Sequence, residues 1–268
     1  MIRTNILALP LLALPLLVSA CADGREDDDA AELEVATTDG EAAAMQVDIE
    51  PIDFADLALG PKVEGPRGTE VKTSLSNEAG IFADITSYVA CPPSMSQCDP
   101  ATAPENTLYT YVHIVYPGED MDASTGAGQG ADDIDVESAS AFYMTAPAHG
   151  FMGHAGFSKA EAISAAGESV QVVITCTATG ALSWTVNAGD GGNQWEDAEP
   201  LTFFWQSTLP PAGPAASYAI RANDVTATGE GPYPAENAET VNFCTDGAPT
   251  PASGQPQRDT ADIALVRP

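Results

Sequence analysis

Basic residues are scarce in this chain of 268 residues, and their scarcity limits the partners that the protein can bind. Lysine and arginine together number nine, against 39 aspartates and glutamates, and the formal net charge is −30. Nucleic-acid binding needs clustered lysine and arginine that neutralise phosphates, so the composition argues against it. A surface this acidic also repels anionic lipid headgroups, and we expect the folded part to stand away from a membrane surface.

Histidine and the familiar catalytic motifs are also lacking. The chain has three histidines, and it contains no G-x-S-x-G, H-E-x-x-H, S-x-x-K, C-x-x-C or Walker-loop sequence. General acid and base catalysis near neutral pH relies on groups such as histidine or free cysteine. The sequence therefore predicts a protein that is not an enzyme and that works by binding or by structural support. A hydrolase with paired carboxylates is the weaker alternative.

Only the N-terminus carries a long apolar run. Residues 1–20 contain Arg3 and then an apolar stretch over 6–18 that includes Pro10 and Pro15. This stretch is too short to span a bilayer comfortably, and its charged start and apolar middle are typical of an export signal. Because no later run reaches spanning length, the sequence predicts no transmembrane helix.

The end of this signal leads directly into a cysteine. Residues 17–20 read Leu-Val-Ser-Ala, and Cys21 follows them. The string resembles the lipobox of bacterial lipoproteins, a family in which the cysteine thiol is alkylated with a diacylglyceryl group and the signal is cleaved before it. The resemblance implies that Cys21 is lipidated, carries acyl chains such as palmitate, and anchors the protein in the cell envelope. Ala22 after the cysteine implies the outer membrane, with the protein facing the periplasm or the cell surface.

Residues 21–50 follow as an acidic segment that includes three consecutive aspartates at 27–29. Such a segment repels itself and stays solvated, so we expect a disordered, lipidated tether there. The residues after the signal are enough for one large all-β domain or two small ones, and we favour one domain over 51–268. The predicted organisation is thus a signal over 1–20, a tether over 21–50 and an extracytoplasmic domain over 51–268.

Four cysteines remain when Cys21 is set aside, and an even number in an exported chain indicates two disulfides. Four cysteines allow three pairings. We favour Cys91 with Cys98, because a short, turn-rich loop separates them, and Cys176 with Cys244, because both lie in apolar alternating runs. Their spacings do not resemble those of zinc sites.

Short apolar or alternating runs, separated by glycine, proline, asparagine and aspartate, indicate β-strands. One short helix is expected at 158–167, where Ser158 and Glu161 form a capping box and Gly167 ends the helix. Gly180 predicts a hairpin turn over 177–182. These elements and the two disulfides favour an antiparallel β-sandwich, of which an immunoglobulin-like arrangement is one form. The predicted strands lie at 81–90, 108–116, 141–145, 169–179, 182–187, 201–208, 217–222, 240–244 and 263–266, with a further run at 70–75.

Two histidines and two methionines fall within the glycine-rich stretch 144–154. His149, Met152 and His154 carry ligand atoms that suit copper or haem iron, and His113 could complete a three-histidine set. This grouping is the basis of the alternative function, a carrier of copper, zinc or haem. The other interpretation is a loop whose histidines bond to the backbone and whose methionines fill gaps in the core.

Acidic residues in two glycine-rich segments are candidate calcium ligands, because calcium prefers carboxylate oxygens in flexible loops. Neither segment has the spacing of an EF-hand, and solvated loops are the other interpretation. The candidates are Glu119, Asp120, Asp122, Asp132, Asp133 and Asp135 in the first segment, and Asp190, Asn193, Glu196 and Asp197 in the second.

Trp195 stands in the polar stretch 191–197, where an exposed indole could stack on a sugar or contact a protein. A buried core tryptophan is the other interpretation. The sequence therefore predicts a lipid-anchored envelope protein that binds a protein or glycan partner, with Trp195 and nearby loops as the candidate contact surface.

Overall fold

β-Strands dominate the computed structural model, which describes residues 48–63, 70–118, 134–189, 192–196, 199–234 and 242–247. These residues belong to the compact unit Ala43–Pro268, and they confirm the all-β fold class. A 3-10 turn covers Phe54–Asp56, and the α-helices are α1 (Lys159–Ala166) and α2 (Phe243–Asp246). The strands are β1 (Asp48–Ile49), β2 (Ile52–Asp53), β3 (Val71–Asn77), β4 (Gly80–Ala90), β5 (Tyr109–Pro117), β6 (Ala139–Met144), β7 (Phe151–Phe157), β8 (Gln171–Cys176), β9 (Leu182–Asn187), β10 (Leu201–Ser207), β11 (Pro211–Ala222) and β12 (Val225–Pro234).

The strands of the described residues form one curled, mixed sheet of twelve strands. Their order across the sheet is β1-β8-β9-β6-β11-β12-β3-β4-β5-β10-β7-β2. Named strand pairs are antiparallel, as the sequence predicts, except that β2 runs parallel to β7. Because the sheet is continuous, a division into the two facing sheets of an immunoglobulin-like sandwich is not confirmed.

Residues 48–53 connect the two ends of the strand order. β1 pairs with β8, β2 pairs with β7, and only Glu50 and Pro51 separate β1 from β2. The indole N–H of Trp184 on β9 also donates to the carbonyl oxygen of Gly156 on β7, at 3.0 Å. Gly156 must lack a side chain here, because a Cβ atom would lie 1.9 Å from the carbonyl oxygen of Ile52. The curl of the sheet is therefore closed by direct backbone contact.

Aromatic rings fill the interior of the curled sheet. Phe203 of β10 is fully buried, stacks on Phe142 of β6 with ring centroids 5.1 Å apart, and contacts Trp184 at 5.9 Å. Its neighbour Phe204 lies on the opposite face, where Phe54 of the 3-10 turn covers it at 6.0 Å. Burying each large apolar side chain contributes about 1.5–3 kcal/mol, and aromatic pairing adds to this. These rings hold the two halves of the sheet together.

The predicted short helix and hairpin turn are both confirmed. The side chain of Ser158 accepts a hydrogen bond from the backbone N–H of Glu161 at 3.3 Å, and Gly167 ends the helix with a φ of 87°. Gly180 has a φ of 80°, the left-handed conformation that glycine adopts at low cost. Its turn joins β8 to β9 as a hairpin.

Both preferred disulfides are present, Cys91 with Cys98 and Cys176 with Cys244. The second connects the end of β8 to α2. The strand predicted over 240–244 is wrong in its described part, since α2 begins at Phe243. The reason is local, because the Asn242 side chain accepts from the backbone N–H of Cys244 at 2.9 Å and caps a helical turn.

Two long strands lie where the sequence indicates none. β7 has the sequence FMGHAGF, whose glycines and small residues hide the alternation of a strand, and β12 contains Pro232 and Pro234, which usually exclude a strand. At the N-terminal side, Asp48–Ile49 already pairs with β8, so the predicted tether over 21–50 overlaps the sheet in its last residues. The predicted signal, Cys21 and the predicted strand over 263–266 lie outside the described residues.

Candidate functional site

His113 lies in the aromatic interior and away from solvent. Its side chain is 0% exposed, and its ring centroid lies 4.2 Å from that of Tyr218 and 5.5 Å from that of Phe142. Nδ1 shares a hydrogen bond with the Ser87 hydroxyl at 2.9 Å. Nε2 has no hydrogen-bond partner among the described residues. His113 is therefore part of the core.

The Ser87 and His113 pair has the spacing of a nucleophile and its general base, a pairing that sequence reasoning did not indicate. Both side chains are 0% exposed, so a substrate has no route to the hydroxyl. The pair lies on neighbouring strands, where β4 and β5 align the two residues directly. Its geometry fits a buried polar contact that satisfies one donor and one acceptor in the core.

Burial of His113 makes folding sensitive to acid. Desolvation lowers the pKa of the imidazole from 6.5 to about 3. The unfolded chain therefore takes up a proton below pH 6.5, whereas the folded chain does not until the pH approaches 3. Stability consequently falls as the pH drops through this window, by about 1.4 kcal/mol per pH unit.

This slope can be measured by urea unfolding at pH 5 and pH 7 in a pair of proteins. The double variant Ser87→Ala with His113→Phe removes both hydrogen-bond partners and should fold without an orphaned polar group. Between pH 7 and pH 5 we expect the wild type to lose about 2 kcal/mol more stability than the double variant, because the full slope applies only below the unfolded pKa of 6.5. Equal slopes in the two proteins would show that His113 titrates normally in the folded state.

The predicted three-histidine metal set is not assembled. His113 is buried in the core, whereas His154 is exposed on β7 and the ring of His149 meets Tyr233 edge-on at 5.8 Å. Met152 lies on β7, a strand rather than the expected loop. Among the described residues no group of three or more His, Cys, Asp or Glu side chains is placed to hold a metal ion. His113 therefore does not complete a three-histidine set, and the smaller grouping of His149, Met152 and His154 stays a prediction.

Trp195 is a core residue, and the exposed surface predicted around it is wrong. Its side chain is 1% exposed and meets Phe203 edge-on, with ring centroids 5.7 Å apart. The indole N–H donates to the carbonyl oxygen of Glu199 at 2.7 Å. Its backbone carbonyl accepts from Ala139 at the start of β6. Trp195 is therefore part of the aromatic interior, although its neighbours in the sequence are polar.

The candidate calcium ligands lie largely outside the described residues. Those inside are Asp135, Asn193 and Glu196. The carbonyl oxygen of Asp135 accepts from the Asn223 side chain at 2.8 Å, a contact that holds the backbone ahead of β6. The predicted calcium site is neither assembled nor tested by these residues.

A small pocket of about 200 Å³ beside α1 is lined by Glu161, Ser164 and Glu199. The Glu161 carboxylate accepts the backbone N–H of Thr202 at 2.7 Å and so joins α1 to β10. Desolvation raises the pKa of Glu199, while its hydrogen bond to the backbone of Glu196 opposes the shift. The Glu161 carboxylate of this pocket therefore stabilises the packing of α1 on β10.

Another pocket is a groove of about 270 Å³ on the outer face of the sheet, lined mainly by residues that carry hydroxyl groups. Its strands alternate between core and surface residues. Phe142 of β6 and Trp184 of β9 are fully buried, whereas Tyr143 and Thr185 beside them are partly exposed. We call this the hydroxyl groove, lined by Ser140, Ala141, Tyr143, Thr177, Ser183, Thr185 and Arg221.

The strand register places these side chains in adjacent rows. Thr185 aligns with Ala141, which aligns with Arg221 of β11, while Ser183 aligns with Tyr143. The Tyr143 hydroxyl lies 3.0 Å from the hydroxyl of Thr226 on β12, which fixes the ring at its far end. Hydroxyls both donate and accept, so the groove can bond to a ligand that does the same.

Sequence reasoning did not find this groove, although part of its signal is visible. In β9 the polar residues Ser183 and Thr185 alternate with Leu182, Trp184 and Val186, which marks a strand with one wet face. No spacing in the sequence indicates that β6, β8, β9 and β11 would set their polar residues side by side.

Comparison of the chain with protein-family profiles, with curated proteins and with solved structures found no match in any of the three. None of the helices in the described part of the chain is long and apolar enough to cross a membrane.

Proposed function

We propose that this chain is a lipid-anchored protein of the bacterial cell envelope whose β domain binds a glycan in the hydroxyl groove. The predicted lipobox at Cys21 supports the anchor, and the groove supports the partner. The observation that carries the proposal is the row of serine and threonine hydroxyls beside the Tyr143 ring and Arg221. The proposal refines the predicted choice between a protein and a glycan partner.

A saccharide suits this groove better than an apolar partner does. Sugar hydroxyls donate and accept hydrogen bonds, and Ser183, Thr185 and Ser140 offer the same capacity from a firm strand scaffold. Tyr143 adds an aromatic ring against which the apolar face of a sugar can pack. Because the strands are joined to neighbours on both sides, little ordering is needed upon binding.

Binding without catalysis is supported by how the polar groups of the domain are used. Ser87 and His113 are enclosed in the core, and Glu161 is engaged with the backbone of β10. In the groove itself, the described lining contains neither a carboxylate nor a histidine to serve as a general acid or base.

The glycan proposal predicts that Tyr143→Ala weakens saccharide binding. Detergent-solubilised full-length protein is titrated with a panel of oligosaccharides that includes fragments of envelope polysaccharides. For each ligand bound by the wild type, Tyr143→Ala should raise the Kd about tenfold, since it removes the stacking ring from the centre of the groove.

The matched control is His154→Ala, which truncates an exposed side chain on β7. It should bind as the wild type does, and a cooperative unfolding transition in each variant checks that both are folded under the binding conditions. If Tyr143→Ala binds the saccharides with the same Kd as the wild type, the hydroxyl groove is not the binding site.

A further inference from the structure

Arg221 is the one arginine among the described residues, and no described carboxylate pairs with it. The ion pair of this part of the chain joins Lys62 to Glu70 at 2.8 Å. Glu137 precedes the adjacent strand β6 and Asp224 lies in the turn after β11, yet neither forms an ion pair with Arg221. Among the described residues, the exposed guanidinium therefore has no carboxylate partner, and it lines the hydroxyl groove.

A guanidinium that has no ion-pair partner among the described residues, and that lines a groove rich in hydroxyls, has a specific chemical complement. Arginine presents five N–H donors in a planar fork, and a carboxylate accepts two of them in parallel. Charge-assisted bonds of this kind are about twice as strong as neutral ones. Arg221 therefore favours an anion with two coplanar oxygens over an uncharged hydroxyl.

We infer that Arg221 binds a carboxylate of the bound saccharide, so that the hydroxyl groove selects acidic glycans that contain uronic acids. This inference rests on the proposed function, and it names the class of glycan. The site consists of Arg221 for the carboxylate, Thr185 and Ser183 for sugar hydroxyls, and Tyr143 for the sugar face.

The register gives these groups a suitable separation. Arg221, Ala141 and Thr185 align across three neighbouring strands, and strands lie about 4.8 Å apart, so the outer two Cα atoms are roughly 10 Å apart. Ala141 between them carries only a methyl group. A sugar ring can lie over Ala141 while its carboxylate reaches Arg221 and its hydroxyls reach Thr185.

The net charge of −30 repels any acidic ligand at long range. A preference for acidic glycans must therefore come from the short-range contact with Arg221. At 0.15 M ionic strength, charges farther apart than about 8 Å are largely screened. The bidentate contact with Arg221 acts within hydrogen-bond distance and is screened much less. Measurements at this ionic strength therefore report on the groove rather than on the overall charge.

The test uses matched acid and ester ligands with the full-length protein in detergent at 0.15 M salt. Oligogalacturonate and its methyl ester have the same hydroxyls and ring, but only the first carries carboxylates; matched glucuronate and mannuronate pairs extend the panel. Calorimetric titration should give at least about tenfold tighter binding of the acid than of the ester. Arg221→Gln should bring the ratio of the two Kd values to about one.

Two further variants separate charge from geometry. Arg221→Lys keeps the charge but loses the planar fork, so it should give a ratio between those of the wild type and Arg221→Gln. Lys159→Gln removes an exposed cation at the start of α1 and should keep the wild-type ratio. Unfolding midpoints of all variants are compared to confirm that each is folded.

The outcomes distinguish the two proposals. Equal binding of acid and ester, weakened in both by Tyr143→Ala, would overturn the role of Arg221 and leave the glycan-binding function intact. An acid preference that survives Arg221→Gln would also overturn it. Absence of binding to both forms of every saccharide at millimolar concentration would overturn the proposed function and this inference together.

Discussion

The Cys21→Ser variant should leave the membrane fraction and appear as a soluble protein without acyl chains. A serine hydroxyl cannot accept the diacylglyceryl group that the predicted lipobox attaches to a cysteine thiol. Each buried methylene of an acyl chain contributes about 0.8 kcal/mol, so two or three chains make attachment effectively permanent and their loss should be complete. Cell fractionation and mass spectrometry of the mature N-terminus measure both effects.

Ala22→Ser is the matched control, because it changes the neighbouring residue and keeps the thiol. It should remain acylated and sediment with membranes. If Cys21→Ser still fractionates with membranes and still carries acyl chains, the proposed anchor is wrong.

The second large effect concerns the disulfide between Cys176 and Cys244. The paired substitution Cys176→Ala with Cys244→Ala should lower the free energy of unfolding by about 4 kcal/mol in the chain-entropy treatment, because the bond closes a loop of 68 residues. Alanine avoids placing a hydroxyl at Cys176, whose side chain is 2% exposed. Urea unfolding of wild type and variant at neutral pH gives the difference.

The other disulfide provides an internal comparison. Cys91 and Cys98 close a loop of only seven residues, so Cys91→Ala with Cys98→Ala should cost about 2 kcal/mol. The critical result is that removing the Cys176–Cys244 bond should lower the free energy of unfolding more than removing the Cys91–Cys98 bond. Equal losses would mean that loop closure does not account for the stabilisation by the longer bond.

Much of the strand pattern could be predicted because local alternation survives in the finished fold. β9 spans Leu182–Asn187, where the sequence places it, since its polar and apolar residues alternate cleanly. β7 could not be found in this way, because its glycines leave no alternation and Gly156 is required by the close approach of Ile52. β1 and β2 are two residues each, which is too short for any periodic signal.

The site was harder to predict because its parts are distant in sequence. Tyr143, Thr185 and Arg221 meet only through the pairing of β9, β6 and β11, which no local pattern specifies. The sequence around Trp195 and His113 suggested functional roles, but the fold places both side chains in the core. Polar neighbours in sequence suggested exposure for Trp195, whereas the fold buries its ring against Phe203.

The closure of the sheet by residues 48–53 also determines how the domain would respond to mechanical load. Tension on the chain ahead of Asp48 acts first on β1, which is held to β8 by a pairing only two residues long. β2, which pairs with Gly156 and Phe157 of β7, is loaded next, and the longer pairings of β10 with β7 and β5 lie behind it in the strand order. Tension from the N-terminal side would therefore separate the short pairings of β1 and β2 before it disrupts the aromatic interior. Residues 48–53 would therefore detach before the rest of the described sheet is disrupted.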